Sequence, residues 1–251
     1  SQCYLPLGDV KLNQLYKGSR PNASYKYYRR SLCLDSALVN VSYMVNRVNY
    51  RREIFVSAPD SAMVIRLSAD KPGMVALDLD FDCQIDGYKV QPSGDMLSLS
   101  GAAPVNSYPV YYNPSDKPLY TMTTQDGKTG IRFNALAKAV ADGGFVSVDD
   151  QGLHVRDANS VTIYITSATS YNGPYTDPDT NGKNEKTIAL NRLGNCINKD
   201  YATLKSRHSS DFSSLFGRVS LSLHNPLDNK SLNSKMPTDL RLKVYDFGNH
   251  D

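Results

Sequence analysis

The sequence predicts a mainly β protein, an antiparallel two-sheet super-sandwich with a small helical linker segment near the C-terminus. Two observations favour this fold class. Turn signals recur at short intervals, among them Asp86-Gly87, Asp126-Gly127 and Gln151-Gly152. Between the turns lie runs rich in β-branched and aromatic residues, in which apolar and polar positions alternate. Many short alternating strands joined by regular turns are typical of sandwiches and barrels.

The alternation is clearest between residues 77 and 82, where apolar and acidic residues take turns. Successive strand residues point to opposite faces, so one face is apolar and the other acidic. The two sets are Leu77, Leu79 and Phe81 against Asp78, Asp80 and Asp82. Because three like charges on one face need counter-charges or solvent, we expect arginine or lysine beside them on the next strand.

The pattern changes after Tyr171, so three segments are predicted. Residues 1–171 carry the strand patterns of the sandwich. Residues 172–217 hold a polar, glycine- and proline-containing connector followed by two helices. Residues 218–251 contain a strand that returns to the sheet and a polar segment that would lead into a further domain.

The two predicted helices differ in the strength of their signals. The first is a short, imperfect apolar stripe from Thr187 to Ile197. The second is capped by Asp200, carries apolar residues three and four apart, and ends at Gly217. Beyond it, Val219 to Leu223 alternates like a strand, and Pro237 could start a further helix.

Composition argues against several classes of function. Twenty-eight basic and 25 acidic residues leave a net charge of only +3, which gives no electrostatic case for nucleic acid or an anionic membrane. No apolar run reaches the ~20 residues of a membrane span. The cysteines have no zinc-binding spacing and no phosphate loop is present, so no metal and no cofactor is predicted. Cys33 and Cys83 lie in apolar-rich segments and are expected to be buried.

No catalytic residue can be assigned from the sequence. The four histidines lie apart and there is no nucleophile elbow. His208 falls on the apolar stripe of the second helix, which favours a packing histidine bonded to Asp211 or a nearby carbonyl. The segment Asp177 to Gly182 matches the opening of an EF-hand loop, but the twelfth position is Ile188 where a glutamate is needed. A turn-rich connector explains the same residues.

Tyrosine is abundant, with 17 residues, whereas tryptophan is absent. Exposed rings can stack on the apolar face of a sugar, so Tyr111 and Tyr171, in two polar loop regions, are the candidate carbohydrate-binding residues. The competing interpretation is that these rings pack the loops onto the edge of the sandwich, because aromatic residues generally dominate buried contacts.

An ordered set of motifs resembles one known family. It starts with Tyr28-Arg29-Arg30, Leu34-Asp35 and Tyr50-Arg51-Arg52-Glu53, and continues through Ser57-Ala58-Pro59-Asp60 and Lys71-Pro72-Gly73. Later members are Gly130-Ile131-Arg132-Phe133, Asp142-Gly143-Gly144, Thr169-Ser170-Tyr171-Asn172-Gly173 and Pro237-Thr238-Asp239. Together they resemble the N-terminal β-sandwich domain and helical linker of glycoside hydrolase family 95, the α-L-fucosidases and α-L-galactosidases.

The resemblance implies a non-catalytic part of a glycosidase that removes terminal α-linked fucose or galactose from glycans. The family's opening strands would be missing before Ser1. Its (α/α)6 barrel, which carries the catalytic residues, would be missing after Asp251, so the partners implied are that barrel and, through the parent enzyme, a glycan. An extracytoplasmic location is implied in the same way. Two alternatives stay open: a stand-alone carbohydrate-binding sandwich, and a purely structural interaction domain.

Overall fold

The computed structural model describes residues 5–18, 24–109, 111, 120–221 and 236–246, and antiparallel strands dominate this part of the chain. The predicted mainly β fold class is therefore confirmed. The strands are β1 Asp9–Leu15, β2 Lys26–Cys33, β3 Leu38–Val45, β4 Val48–Ser57, β5 Ala62–Ala69, β6 Val75–Asp82, β7 Lys89–Ser93, β8 Met96–Ala102, β9 Asn106–Ser107, β10 Tyr120–Thr121, β11 Arg132–Asp142, β12 Phe145–Asp149, β13 Gly152–Ala158 and β14 Ser160–Thr169. The helices are α1 Glu185–Ile197, α2 Tyr201–Phe216 and α3 Thr238–Asp246.

Two sheets of unequal size form the sandwich. The smaller has the order β1-β6-β13-β12 and the larger has the order β2-β3-β4-β5-β14-β11-β8-β7, while β9 and β10 form a separate pair. The main core lies between the sheets, because buried residues of β6 and β13, such as Leu79 and Val155, cluster with Leu67, Leu99 and Ile163 of the larger sheet. The alternation of apolar and polar positions thus sorts each strand into a core face and an outer face.

The acidic face of β6 has the basic neighbours that its pattern predicts. Asp82 pairs with Lys11 of β1 at 2.6 Å, and Asp78 pairs with Arg156 of β13 at 2.5 Å. The expectation of counter-charges on the neighbouring strands is confirmed.

His154 of β13 connects three strands of the smaller sheet. Its Nδ1 lies 2.7 Å from an Asp78 oxygen on β6, and its Nε2 lies 3.0 Å from an Asp149 oxygen on β12. Both ring nitrogens therefore face carboxylates, and the hydrogen bonds to Asp78 and then Asp149 raise the pKa of His154 above its ordinary value. When both nitrogens are protonated the ring can donate to both acids, and Arg156 also contacts Asp78.

We expect this site to make stability depend on pH. Since the folded pKa of His154 is raised, its contribution is complete below the unfolded pKa of about 6.5 and is lost as the pH rises through the folded value. Urea unfolding at pH 6 and pH 8.5 should show a decline that is smaller in His154→Gln. An equal decline in the variant and the parent would contradict the assignment.

The outer face of the larger sheet carries α1 and α2. A second buried cluster joins Leu193 and Leu204 of the helices to Phe55, Val64 and Tyr164 of the strands. Asn184 caps α1 by accepting the Thr187 N–H at 3.0 Å. As predicted, α2 follows Asp200, which accepts the Thr203 N–H at 2.8 Å.

Some local expectations differ from the structure. Cys83 is buried, but Cys33 is exposed, so that prediction is wrong for Cys33 because β2 is an edge strand of its sheet. Val219 to Leu221 has no regular structure, and Leu223 lies outside the described residues. The predicted helix start at Pro237 is confirmed by α3.

Residues 1–214 form one compact unit and residues 215–251 form another.

Candidate interaction site

Arg132 fixes the segment that joins the sandwich to its helices. Its Nη1 donates to the carbonyls of Pro178 and Asp179 at 3.0 and 2.5 Å and to the Asp179 carboxylate at 3.2 Å. Its Nε and Nη2 each lie 3.4 Å from the carboxylate of Glu185, a buried residue in the first turn of α1. One side chain at the start of β11 therefore holds both the connector, residues 172–184, and the beginning of α1.

The connector acids are engaged by protein groups. Asp177 pairs with the Lys128 ammonium at 2.9 Å and accepts the N–H groups of Asp179 and Thr180. The hydrogen bond from Lys128, followed by the two backbone bonds, lowers the pKa of Asp177 to about 2. Asp179 also accepts the N–H of Thr129. Within the described residues, no group of three or more His, Cys, Asp or Glu side chains could hold a metal ion.

Asp60, in the turn between β4 and β5, holds both helices to the sheet. Its side chain is 1% exposed and accepts a hydrogen bond from Ser57 Oγ at 2.8 Å. Arg207 of α2 lies 3.1 Å from it and Lys199, between the helices, lies 3.4 Å away. The backbone carbonyl of Asp60 accepts from Cys196 Sγ at 3.3 Å. This turn thus connects to the end of α1 and the middle of α2.

Glu53 of β4 provides a further attachment point for α2. Its carboxylate lies 2.6 Å from Lys205 Nζ and 3.0 Å from Arg51 Nη2. Burial alone would raise the pKa of the Glu53 carboxyl. The hydrogen bond and the charge of Lys205, together with the charge of Arg51, outweigh burial, so the pKa of Glu53 is lowered. Nearby, the Arg66 guanidinium lies 4.9 Å from the centre of the Tyr201 ring.

His208 is a packing residue, as its position on the apolar stripe predicts. It is buried on α2, its ring stacks on Phe55 with centroids 4.9 Å apart, and its Nε2 lies 3.1 Å from the carbonyl of Ala37. Of the two partners considered from the sequence, the described bond is to a nearby carbonyl, that of Ala37.

The connector, α1 and α2 together make a helical platform on the outer face of the larger sheet. Buried acids at several points attach the helical platform to the strands through ion pairs. Its exposed large apolar and aromatic side chains are Leu190 of α1, at 49%, Leu215 and Phe216 at the end of α2, at 58% and 43%, and Tyr175 of the connector. A helical layer attached to a sheet in this way is suited to holding another domain or chain segment.

The structure leaves the two predicted carbohydrate-binding tyrosines on separate loops. Tyr111 lies between β9 and β10 and is 91% exposed, whereas Tyr171 follows β14 and is 49% exposed. No hydrogen bond or ring contact described for this part of the chain brings them together. Neither is packed onto the sandwich as fully as a core tyrosine, so each ring keeps an accessible face.

The comparisons with known proteins agree with this architecture. A family described as "Glycosyl hydrolase family 65, N-terminal domain" matches residues 1–174. The chain belongs to this family. The resemblance to an N-terminal sandwich domain of the fucosidase type is also confirmed: the chain is 27% identical over 248 residues to "Alpha-L-fucosidase 2" of Arabidopsis thaliana, which covers 98% of this chain and 29% of that protein.

A second relative has a similar name. The chain is 25% identical over 208 residues to "Probable alpha-fucosidase A" of Aspergillus niger, covering 79% of this chain and 24% of the relative. This family 65 N-terminal domain thus spans less than a third of the length of either fucosidase. It also shares its fold with a solved structure, "Putative kojibiose phosphorylase from human microbiome", at a TM-score of 0.54 and 14% identity, over 82% of this chain and 27% of that one.

Sequence reasoning missed the residues that attach the helical platform. Arg132, Asp60 and Glu53 occur in the family motifs, and each is a charged group in or next to a strand that is largely apolar on its core face. A charge inside such a strand usually needs a partner, and this need was the signal that could have found these residues.

Among the helices described, none is long and apolar enough to cross a membrane.

Proposed function

We propose that this chain is the non-catalytic N-terminal domain of an α-L-fucosidase-type glycoside hydrolase that removes terminal α-linked fucose or galactose from glycans. The observation that carries the proposal is the similarity to a fucosidase over nearly the whole chain, including both helices of the platform. The described titratable clusters support a structural role, since their acids are engaged by arginine, lysine or histidine side chains.

In this proposal the helical platform braces a catalytic (α/α)6 barrel of the same polypeptide. The attachments through Arg132, Asp60 and Glu53 would keep α1 and α2 in place while the barrel packs on their outer side. The barrel would supply the acid and the base of the hydrolysis. Because such glycans occur outside the cytoplasm, we also propose an extracytoplasmic location for the parent enzyme.

The proposal makes a direct prediction about activity. The 251-residue chain should give no turnover of an aryl α-L-fucoside or an aryl α-L-galactoside, whereas the longer polypeptide read from the source gene should hydrolyse one of them. In that polypeptide, Leu190→Glu should lower activity and thermal stability, because a charge would be buried against the barrel. The matched control is Asn191→Glu on the same exposed turn of α1.

Two results would overturn the proposal. Turnover by the isolated chain, retained after repurification, would mean that it is itself catalytic. Equal activity and stability of Leu190→Glu and Asn191→Glu in the long polypeptide would mean that α1 does not contact the barrel.

A carbohydrate-binding sandwich is the second candidate function. The observation that favours it is the exposure of Tyr111 and Tyr171, each of which leaves a ring face free for a sugar. If these rings bind glycan, sugar affinity should be lost when either is replaced by alanine.

A further inference from the structure

Five tyrosines that are scattered in the sequence meet at one end of the sandwich. They come from the end of β1, the start of β2 and the hairpin formed by β3 and β4. We call this group the tyrosine platform: Tyr16, Tyr25, Tyr28, Tyr43 and Tyr50. Neither Tyr111 nor Tyr171 belongs to it.

The inner part of the tyrosine platform is rigid. The Tyr43 and Tyr50 rings are buried and stack 5.6 Å apart at 20°, and Tyr16 lies edge-on to both. The Tyr16 hydroxyl donates to the Tyr43 hydroxyl at 3.0 Å and Tyr43 donates to Gln14 Oε1 at 2.5 Å, while the Tyr50 hydroxyl donates to the Met74 carbonyl at 3.4 Å. Fixed rings lose little conformational freedom when a ligand binds, which favours affinity.

The outer part of the tyrosine platform is exposed. Tyr28 stacks on Tyr43 at 25° and is 59% exposed, and Tyr25 lies edge-on to Tyr43 and is 55% exposed. Between them, Tyr27 has a left-handed φ of 55° at a register shift in the pairing of β2 with β3. Such a conformation is costly for an aromatic residue, and strained residues of this kind cluster at functional sites.

The chemistry of the tyrosine platform fits a neutral sugar. Its exposed rings offer apolar faces with hydroxyls at their rims, which match a pyranose that has a C–H face and a hydroxyl edge. A purely apolar partner would strip water from those hydroxyls without replacing their hydrogen bonds. Arg52, whose guanidinium lies 5.6 Å from the centre of the Tyr43 ring, already donates to Gln14 and to Tyr43, so its donors are engaged within the protein.

We propose that the tyrosine platform is a carbohydrate-binding site that takes a neutral pyranose, with the sugar ring stacked on Tyr28. The site does not depend on the catalytic proposal, because it lies within the sandwich and uses no group of the helical platform. It differs from the pair predicted from the sequence, Tyr111 and Tyr171, which serve as internal comparisons.

The test is an NMR titration of the 251-residue chain with tyrosine rings labelled with ¹³C. The probes are methyl α-L-fucopyranoside, methyl β-D-galactopyranoside and, as an anionic comparison, sodium galacturonate. We expect the ring resonances of the tyrosine platform to shift on addition of a neutral probe, with shifts that fit a dissociation constant on the order of 1 mM. Tyr28→Ala should weaken binding by about tenfold, since one stacked ring is lost, while Tyr28→Phe should bind nearly as well.

Tyr175→Ala is the matched control, because this tyrosine is fully exposed on the connector. Tyr28 is itself largely exposed, so its alanine variant should keep the parent melting temperature. The proposal is overturned if no neutral probe binds at 50 mM, if only galacturonate binds, or if Tyr28→Ala binds as the parent does. Loss of binding in Tyr111→Ala or Tyr171→Ala alone would move the site to those loops.

Discussion

Replacing Arg132 with alanine is expected to destabilise the chain by about 3 kcal/mol and to release the connector. The change leaves the buried carboxylate of Glu185 without its ion pair and takes a donor from the carbonyls of Pro178 and Asp179. Breaking a buried pair by removing one partner costs roughly 3–5 kcal/mol, and the partial exposure of Arg132 argues for the lower end. Urea unfolding followed by circular dichroism gives the free energy of unfolding.

Local release of the connector can be measured separately. Trypsin should cut after Lys183 faster in Arg132→Ala than in the parent, because the Lys183 N–H bond to the Ser170 carbonyl opens when the connector is freed. Arg132→Lys is the matched variant. Its single ammonium keeps the charge but cannot serve Glu185 and the connector together, so intermediate stability is expected. Parent-like stability of Arg132→Ala would show that Arg132 does not hold this segment.

The strands and helix caps could be predicted because their signals are local. Alternation along β6 defines its two faces whatever the sheet order, and Asp200 caps α2 through residues three positions away. The turn at Asn46-Arg47 was harder to predict, because Arg47 stands where a tight hairpin favours glycine. Both residues nevertheless take left-handed φ angles, 51° and 60°, in a two-residue connection between β3 and β4.

The order of strands in a sheet could not be predicted in this way. Cys33 has apolar neighbours in sequence, but β2 lies at an edge of the larger sheet and its residues are mostly exposed. Whether a strand is central or at an edge depends on long-range pairing, which its own sequence pattern does not encode.

The candidate sites depend on the same long-range information. Arg132 meets Glu185 across 53 residues of sequence, and Asp60 meets Arg207 across 147. The tyrosine platform joins Tyr16 to Tyr43 across 27 residues. Sequence reasoning could find clusters only where residues are neighbours in the chain, and for this reason it selected loop tyrosines that the fold leaves apart.

Asp60→Ala is expected to destabilise the chain by about 3 kcal/mol and to loosen both helices of the helical platform. The buried Ser57 hydroxyl loses its only described acceptor, a loss of about 1–3 kcal/mol. The ion pairs with Arg207 and Lys199 are partly exposed, and each adds less than about 1 kcal/mol. Asp60→Asn should lose only about 1 kcal/mol, because an amide can still bond Ser57.

A double-mutant cycle separates the attachment from general stability. Asp60→Ala and Arg207→Ala should be non-additive, with a coupling of about 0.5 kcal/mol, because Arg207 donates to both Asp60 oxygens. Lys186 lies on the exposed first turn of α1, so the effect of Lys186→Ala on the free energy of unfolding should simply add to that of either substitution. If the effects of Asp60→Ala and Arg207→Ala on the free energy of unfolding were also additive, α2 would be held mainly by the apolar contacts of Leu204 and the stacking of His208. Asp60 would then stabilise only the turn between β4 and β5.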